Sequence, residues 1–350
     1  MTSPSLARID SAIESSPNSA RTPFVVGESR VEDAAMPEFD ERLEPLVSVV
    51  IPTRNRAQLL RRALDSVSRQ TYRRLEIIVV VDGEDAETSA TIEGFCDSRI
   101  RAIVNRVSQG GAEARNIGVR AALGSYIAFL DDDDEFLPNK IELQLKRALR
   151  SQGRFPLGLC RIVARSPKGE FIWPLFPPRP DQPLSEYMFC RKGFAQGEGL
   201  VQTDMLFVPR ELLLQIPFSG GLPRHQEWDW ILRAAHHPDV EIAFCDEPLA
   251  VWYIEENRKC VSGTNGWESS CAWLDSVEKF VTPRAYAAFL LTVASGIAAK
   301  EGNGRAFCAL IGKAASRHIP ALRYWLIHIG IWAIPVELRR LARKFTRGGV

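Results

Sequence analysis

The residues best equipped for chemistry stand in one acidic run, Asp131-Asp132-Asp133-Asp134-Glu135, directly after the apolar stretch 126–130. A carboxylate cluster at the end of a buried strand costs free energy unless a cation neutralises it. A hard divalent ion with oxygen ligands, Mg2+ or Mn2+, suits such a cluster, keeping some waters and sharing its sphere with a diphosphate. The alternative is an acidic loop at a helix start, where carboxylates favour the dipole. Asp82 ends another apolar run, 75–81. It could accept hydrogen bonds from a base or sugar, or make a turn with Gly83. Arg115, in Ala114-Arg115-Asn116-Ile117-Gly118, offers a fork that matches a diphosphate, or a surface ion pair. No G-x-G-x-x-G follows the first apolar run and no G-x-x-x-x-G-K-[ST] occurs, so nicotinamide cofactors and P-loop chemistry lose their main support. His225, His236 and His237 lack the H-E-x-x-H spacing of a zinc helix, and no cysteine is near enough in sequence to complete a ligand set.

These groups need elements to hold them. Residues 47–51 are an unbroken run of small and β-branched side chains closed by Pro52, the pattern of a fully buried strand. Leu59, Leu60, Ala63, Leu64 and Val67 then recur at helical spacing, with Arg61, Arg62 and Arg69 opposite. Similar patterns predict strands over 75–81, 100–104 and 126–130, and helices over 88–95, 112–123 and 140–149, the last opened by Pro138 in its first turn. Strands this apolar, alternating with helices, imply a largely parallel sheet sandwiched by helices. Ligands bind such sheets beyond the carboxyl ends of the strands. Pro52-Thr53-Arg54-Asn55, Asp82 and the acids 131–134 gather there.

Farther on, Pro174, Pro177, Pro178, Pro180 and Pro183 predict a looped surface within 151–255, with helices over 211–214 and 228–235. Two apolar stretches, 285–299 and 321–334, fall short of the ~20 residues that span a bilayer. The second carries Tyr324, Trp325 and Trp332 and precedes Arg339, Arg340, Arg343, Lys344 and Arg347. That suits a helix lying in a membrane interface beside anionic lipid, and equally a core-packing helix with a solvated basic end. Residues 1–45, rich in Ser, Pro, Glu and Arg, read as a disordered tail. The start shows no apolar segment behind a basic one, so no secretion signal is expected. Seven scattered cysteines without a C-x-x-C pair fit a reduced, cytoplasmic protein. Lys+Arg 44 against Asp+Glu 43 gives a net charge of +1, so no nucleic-acid partner is expected.

Four segments together resemble the family 2 glycosyltransferases of the GT-A fold: Val47-Ser-Val-Val-Ile-Pro-Thr-Arg-Asn-Arg56, Val79-Val-Val-Asp-Gly83, Gly111-Ala-Glu-Ala-Arg-Asn-Ile-Gly118 and Tyr126-Ile-Ala-Phe-Leu-Asp-Asp-Asp-Asp134. The likeness continues more weakly through 225–233. It implies a Rossmann-like nucleotide-binding mixed sheet over 46–255, and the two apolar stretches beyond it read as a helical region over 256–350 that contacts a membrane or packs on the core. It implies an inverting transfer of a sugar from a nucleoside diphosphate donor, with a UDP-sugar foremost, to an acceptor hydroxyl on a glycan or lipid-linked saccharide. The place would be the cytoplasm, at the inner face of the membrane.

By the same resemblance Pro52, Thr53, Arg54 and Asn55 would line the nucleotide pocket with Arg115, and Asp82 would hold the base. Asp131 would reach the ribose or the metal, with Asp132 beside it, and Asp133 would be the principal ligand of Mn2+ or Mg2+. The family's base is carried by an acidic motif ahead of a Trp- or Tyr-rich helix, here Gln226-Glu227-Trp228-Asp229. Glu227 is the expected base and Asp229 its rival, because the family more often has Asp at position 227. The usual paired acids of the second strand are reduced to Asp82 after Val81. Trp228 and Trp230 would stack on an acceptor sugar or pack in the core. A sugar-1-phosphate nucleotidyltransferase is the nearest rival chemistry, but Pro52-Thr53-Arg54-Asn55 has neither the glycines nor the lysine of its first loop. A catalytically silent binding protein of the same fold is the other alternative.

Overall fold

The computed structural model describes residues 44–167, 169–194, 197–254 and 266–334. The tail expected over 1–45, all but its last two residues, lies outside the described residues, as do Cys260 and the basic run 339–347. Through the first part of the chain come β1 (Val47–Thr53), α1 (Ala57–Ser68), β2 (Leu75–Asp82), α2 (Ala86–Glu93), β3 (Ile100–Asn105), α3 (Gly111–Ala121), β4 (Tyr126–Phe129), β5 (Glu135–Phe136) and α4 (Lys140–Leu149). There follow β6 (Phe155–Ser166), β7 (Gly169–Trp173), α5 (Leu184–Phe189), β8 (Phe207–Pro209), α6 (Arg210–Gln215), α7 (Gln226–Ala234) and β9 (Val240–Tyr253). Five helices come last: α8 (Trp267–Ser276), α9 (Pro283–Phe289), α10 (Ser295–Lys300), α11 (Arg305–Ala315) and α12 (Leu322–Ala333).

One mixed sheet runs in the order β3-β2-β1-β4-β8-β6-β9-β5, with β7 added on β6. The block β3-β2-β1-β4 is parallel throughout. Strands β1, β2 and β4 are buried, which is why their sequences read as nearly continuous apolar runs, whereas β3 at the edge leaves Arg101, Ala102 and Val104 exposed. Beyond β4 the expected parallel order breaks: β8 pairs antiparallel with both β4 and β6, while β6 and β9 run parallel. Gly158 makes that crossing feasible, since a Cβ there would sit 2.8 Å from the Phe207 carbonyl oxygen.

The looped surface expected within 151–255 is found over the proline-rich stretch 174–183, but β6 and β9, the longest strands described, correct it elsewhere. Pro156 and Gly158 interrupt the first of them and Asp246-Glu247-Pro248 the second, erasing the run that marks a strand. The pairing absorbs this through a register irregularity between Cys160 and Ile162. Helix α4 starts at Lys140 behind Asn139, so Pro138 stands ahead of the helix rather than in its first turn.

A hydrophobic core fills the space between the sheet and its helices, and a second one lies among α8–α12. Phe189 of α5 and Leu232 of α7 belong to the second, so these helices join the two. Helix α9 continues through a π turn at Leu290–Ala294 into α10. Helix α12 buries Tyr324 and His328 and joins Trp332 Nε1 to Ser295 Oγ at 3.1 Å, which is the core-packing alternative for one of its faces. Among the described residues no helix is long and apolar enough to cross a membrane.

Close packing of α3 on β1 depends on Gly118, where a Cβ would lie 2.3 Å from Val50 Cγ1. Val50 is fully buried in a central strand and has no room to give. Gly118→Ala is therefore expected to lower stability by about 1–2 kcal/mol, overpacking outweighing the gain in helix propensity. Urea unfolding checks this, and an unchanged or raised midpoint would contradict it.

Candidate functional site

The site gathers beyond the carboxyl ends of β1, β2 and β4. Pro52 and Thr53 finish β1, and Asn55 takes a left-handed turn (φ 52°) that swings the chain into α1. Arg54 and Asn55 are exposed. Thr53 Oγ1 donates to Asp132 Oδ2 at 2.8 Å. Arg56 Nη1 donates to Asp132 Oδ1 at 2.9 Å and to Asp133 Oδ2 at 3.3 Å. Burial still pushes the Asp132 carboxyl above its ordinary range, against the pull of Arg56.

Asp82 is satisfied by one loop. Its carboxylate accepts from Asn105 Nδ2 (3.1 Å), Ser108 Oγ (2.7 Å) and the N–H groups of Gln109 and Gly110 (both 2.8 Å). Burial works against its charge, but these hydrogen bonds outweigh it and hold the group below the usual carboxylate range. Asp82 thus shapes the 105–110 loop, and that loop leads straight into α3.

Arg115 on α3 connects the acidic run to α7. Its Nη2 donates to Asp131 Oδ1 at 2.5 Å and its Nη1 to Gln226 Oε1 at 3.0 Å. Next along α7 stands Glu227, whose carboxyl burial raises, partly offset by its own N–H and by Arg115. Ahead of the helix His225 sits in a left-handed conformation (φ 61°), its ring stacked on Trp228 at 4.8 Å and its Nε2 3.0 Å from Ser270 Oγ. Burial lowers this imidazole to about 4, so it is neutral at physiological pH.

Asp229 faces elsewhere. It is buried, accepts from Ser219 Oγ (2.6 Å) and Trp273 Nε1 (3.4 Å), and pairs with Arg233 at 2.8 Å. Trp230 is fully buried, with Nε1 donating to the Ile216 carbonyl at 2.7 Å, and Trp228 Nε1 donates to Val201. Both indoles belong to the packing of α7.

The acidic run folds around a residue that the sequence analysis missed. Asp204 Oδ1 accepts the Asp131 N–H at 2.8 Å, and ligand atoms of Asp131, Asp134 and Asp204 lie within 4.8 Å of one another. Asp134 also accepts the Tyr253 N–H at 2.8 Å. Burial, then the charge of Asp131, raises Asp204 to about 7, and burial with Asp204 beside it raises Asp134 well above its ordinary value. Asp204 Oδ2 is buried without a hydrogen-bond partner. These oxygens fit a hard divalent cation. Asp133, expected as the principal metal ligand, is not among these three; its carboxylate pairs with Arg56 at 3.3 Å.

Arg56, Arg62 and Tyr253 were missed as well. Arg62 donates to the Asp133 carbonyl, lies 3.4 Å from Glu135 and stacks its guanidinium 3.7 Å above the Tyr253 ring. One signal was available for Asp204, a single acid just ahead of the apolar run Met205-Leu206-Phe207-Val208. Arg62 looked like any charge on the outer face of α1.

Residues 48–175 match glycosyl transferase family 2. The amylovoran biosynthesis glycosyltransferase AmsB of Erwinia amylovora is 29% identical over 245 residues, covering 68% of this chain and 79% of that protein. The UDP-Glc:alpha-D-GlcNAc-diphosphoundecaprenol beta-1,3-glucosyltransferase WfgD of Escherichia coli is 35% identical over 130 residues, 37% of this chain and 51% of that protein, so this match spans about half its length. Among solved structures, S. aureus TarS 1-349 in complex with UDP-GlcNAc superposes with a TM-score of 0.55 at 14% identity, covering 85% of this chain and 92% of that one. The mannosyltransferase PcManGT from Pyrobaculum calidifontis, in complex with GDP-Man and Mn2+, gives 0.50 at 17% identity, covering 88% and 90%. Both carry the GT-A fold, a mixed sheet flanked by helices, over to this chain.

The raised carboxyl of Asp204 has a consequence for stability. An unfolded aspartic acid titrates near ~3.9, so the folded chain holds an extra proton up to about 7. The stability linked to that proton is fully present below the unfolded value and is lost as pH rises through 7. In a chelator, the melting temperature is expected to fall from pH 4 towards pH 8, and Asp204→Asn should flatten that decline. Equal slopes in the two proteins would contradict the proton.

Proposed function

This chain belongs to glycosyl transferase family 2 through residues 48–175, and from that premise we propose a metal-dependent, inverting transfer of a sugar from a nucleoside diphosphate to an acceptor hydroxyl. The observation that carries it is the Arg115 bridge, which ties Asp131 of the acidic run to Gln226, one residue before Glu227. The bridge supports a single site in which the acidic loop would bind the cation and Glu227 would act beside it.

We assign the roles as follows. Thr53, Asn55, Pro52 and Arg54 border the nucleotide, and Asp82 sets the loop that meets its base. Asp131 and Asp133, the accessible carboxylates, hold the cation, with Asp132 kept in place by Thr53 and Arg56. When bound, that cation offsets charge developing on the leaving diphosphate, a Lewis-acid contribution of several kcal/mol. Arg115 orients Asp131. Glu227 accepts the acceptor's proton as the hydroxyl attacks, and the burial that raises its carboxyl makes it a stronger base. Asp229, engaged by Ser219, Arg233 and Trp273, fixes the helix that presents Glu227.

A UDP-sugar donor is supported by the names of WfgD and of the TarS complex, and Mn2+ by that of the PcManGT complex. The names of AmsB and WfgD support an acceptor that is a growing glycan or a lipid-linked saccharide. We place the reaction at the cytoplasmic face of a membrane, with a catalytic domain over 46–255 and a helical region after it.

Thermal-shift measurements with UDP-, GDP-, dTDP- and CMP-sugars, each with and without Mn2+, test the donor. A ligand at a hundred times its dissociation constant adds about 2.7 kcal/mol. One nucleotide should stabilise the chain, and only with metal. Asp133→Asn should abolish that metal-dependent shift; if Asp134→Asn does so while Asp133→Asn does not, the buried set is the metal site. Glu227→Gln should keep the shift but lower turnover by about 100-fold or more. Full turnover in Glu227→Gln, with none in Asp229→Asn, would transfer the base to Asp229.

A further inference from the structure

Helix α7 presents Glu227 from its first turn, and a first turn has little of its own to hold it. The opening N–H groups of a helix lack intrahelical partners, and no side chain of residue 225 caps them here. The Asp229 N–H closes the turn on the His225 carbonyl at 2.7 Å. Where Glu227 points therefore follows from where His225 is held. Of the described residues other than glycine, only Asn55 and His225 take a positive φ. Such a backbone persists where its surroundings over-determine it.

Those surroundings come from the second core. The His225 ring centroid lies 4.5 Å from that of Trp273 on α8 and 5.6 Å from that of Phe289 on α9. Its Nε2 meets the hydroxyl of Ser270, also on α8, at 3.0 Å. Ser270, Trp273 and Phe289 are themselves buried, so the box is close-packed. Trp273 Nε1 also donates to Asp229 at 3.4 Å. Helix α8 thus grips α7 at positions 225 and 229, on either side of Glu227. Histidine meets three demands at once: it tolerates the left-handed backbone, fills an aromatic box with a flat ring, and brings a nitrogen to Ser270. Asparagine lacks the ring, and phenylalanine lacks the nitrogen.

Taking Glu227 as the base proposed above, we infer that His225 is a positioning residue for the transfer, through which α8 and α9 set where the Glu227 carboxylate stands against the attacking hydroxyl. The helical region is then part of the catalytic apparatus without touching the donor. A misplacement of about 1 Å costs a transfer reaction on the order of 100-fold. Donor and cation are bordered from β1, β2 and β4 instead, so binding and transfer should separate.

Two variants of the full chain test this. Ser270→Ala removes only the hydroxyl that meets the ring, and His225→Asn removes the ring while tolerating the left-handed turn. The rate is read as nucleotide released from the nucleotide-sugar that stabilises the chain, with water standing in for the acceptor hydroxyl. Both variants should keep the metal-dependent thermal shift and the KM for that donor. Their kcat should fall, about threefold or more in Ser270→Ala and about tenfold or more in His225→Asn. In a Glu227→Gln background His225→Asn should cost about twofold at most, because a residue acting through the base has nothing left to position. Amide exchange needs no ligand: His225→Asn should speed exchange over 226–229 about tenfold or more and leave 109–116 unchanged. Parental kcat in both variants would overturn the role, as would a full further loss in Glu227→Gln or unchanged protection over 226–229. Loss of the nucleotide shift in step with kcat would also overturn it, leaving His225 a packing residue. Full turnover in Glu227→Gln itself would remove the base and this role together, whereas a defect in Glu227→Gln beside a fully active His225→Asn would remove this role alone. If His225→Asn does not fold, Ser270→Ala decides on the same readouts.

Discussion

Arg115 is a guanidinium with only about a tenth of its side chain exposed, on a helix that packs against β1 and β2. Burying such a charge is costly unless it is paired with good geometry. Asp131 meets it, and the planar fork leaves a second nitrogen for Gln226. Its neighbour Asn116 reaches the same side of the molecule, exchanging hydrogen bonds with the Phe218 backbone at 2.9 Å in both directions. Phe218 stacks on Trp230 of α7. Consecutive residues of α3 therefore fix α7, and with it the distance between the acidic run and Glu227. The small Gly118 one turn later lets α3 lie close enough to β1 for this to work.

The acidic run is organised by unequal environments rather than by one shared charge. Asp131 and Asp133 keep some access to solvent, Asp132 is held by Thr53 and Arg56, and Asp134 turns inward to Asp204. Arg56, Arg62 and Arg115 surround the loop without filling it. Such an arrangement tolerates a dense negative cluster in the free protein and still presents carboxylates toward a ligand.

Most of the parallel half was legible because β1, β2 and β4 are buried and so almost wholly apolar, while the exposed edge strand β3 still keeps enough apolar residues to be read. The same rule failed for β6 and β9, where Pro156, Gly158 and Pro248 are tolerated at a crossing strand and a register irregularity that no local pattern announces. In the site, residue types were readable and their engagements were not. Asp82 was visible as a strand-end acid, yet its four donors come from a loop more than twenty residues away. Glu227 and Asp229 are two positions apart with the same charge, and only the surrounding Ser219, Arg233 and Trp273 distinguish them. Asp204 reaches the acidic run from a separate turn, a proximity that exists only once β8 has entered beside β4.

Strands β4 and β5 stand four neighbours apart in the sheet, about 19 Å if it were flat. The residues joining them include a turn in which the Asp134 N–H reaches the Asp131 carbonyl, so the connection is shorter than a taut one. It behaves as a bowstring: the sheet must arch until β5 can be reached from β4, and the depth of the hollow is set by the number of residues in the string. Lengthening the segment by a single residue would slacken the arch and change the curvature of the sheet beneath the acidic run, even with every side chain of the site retained.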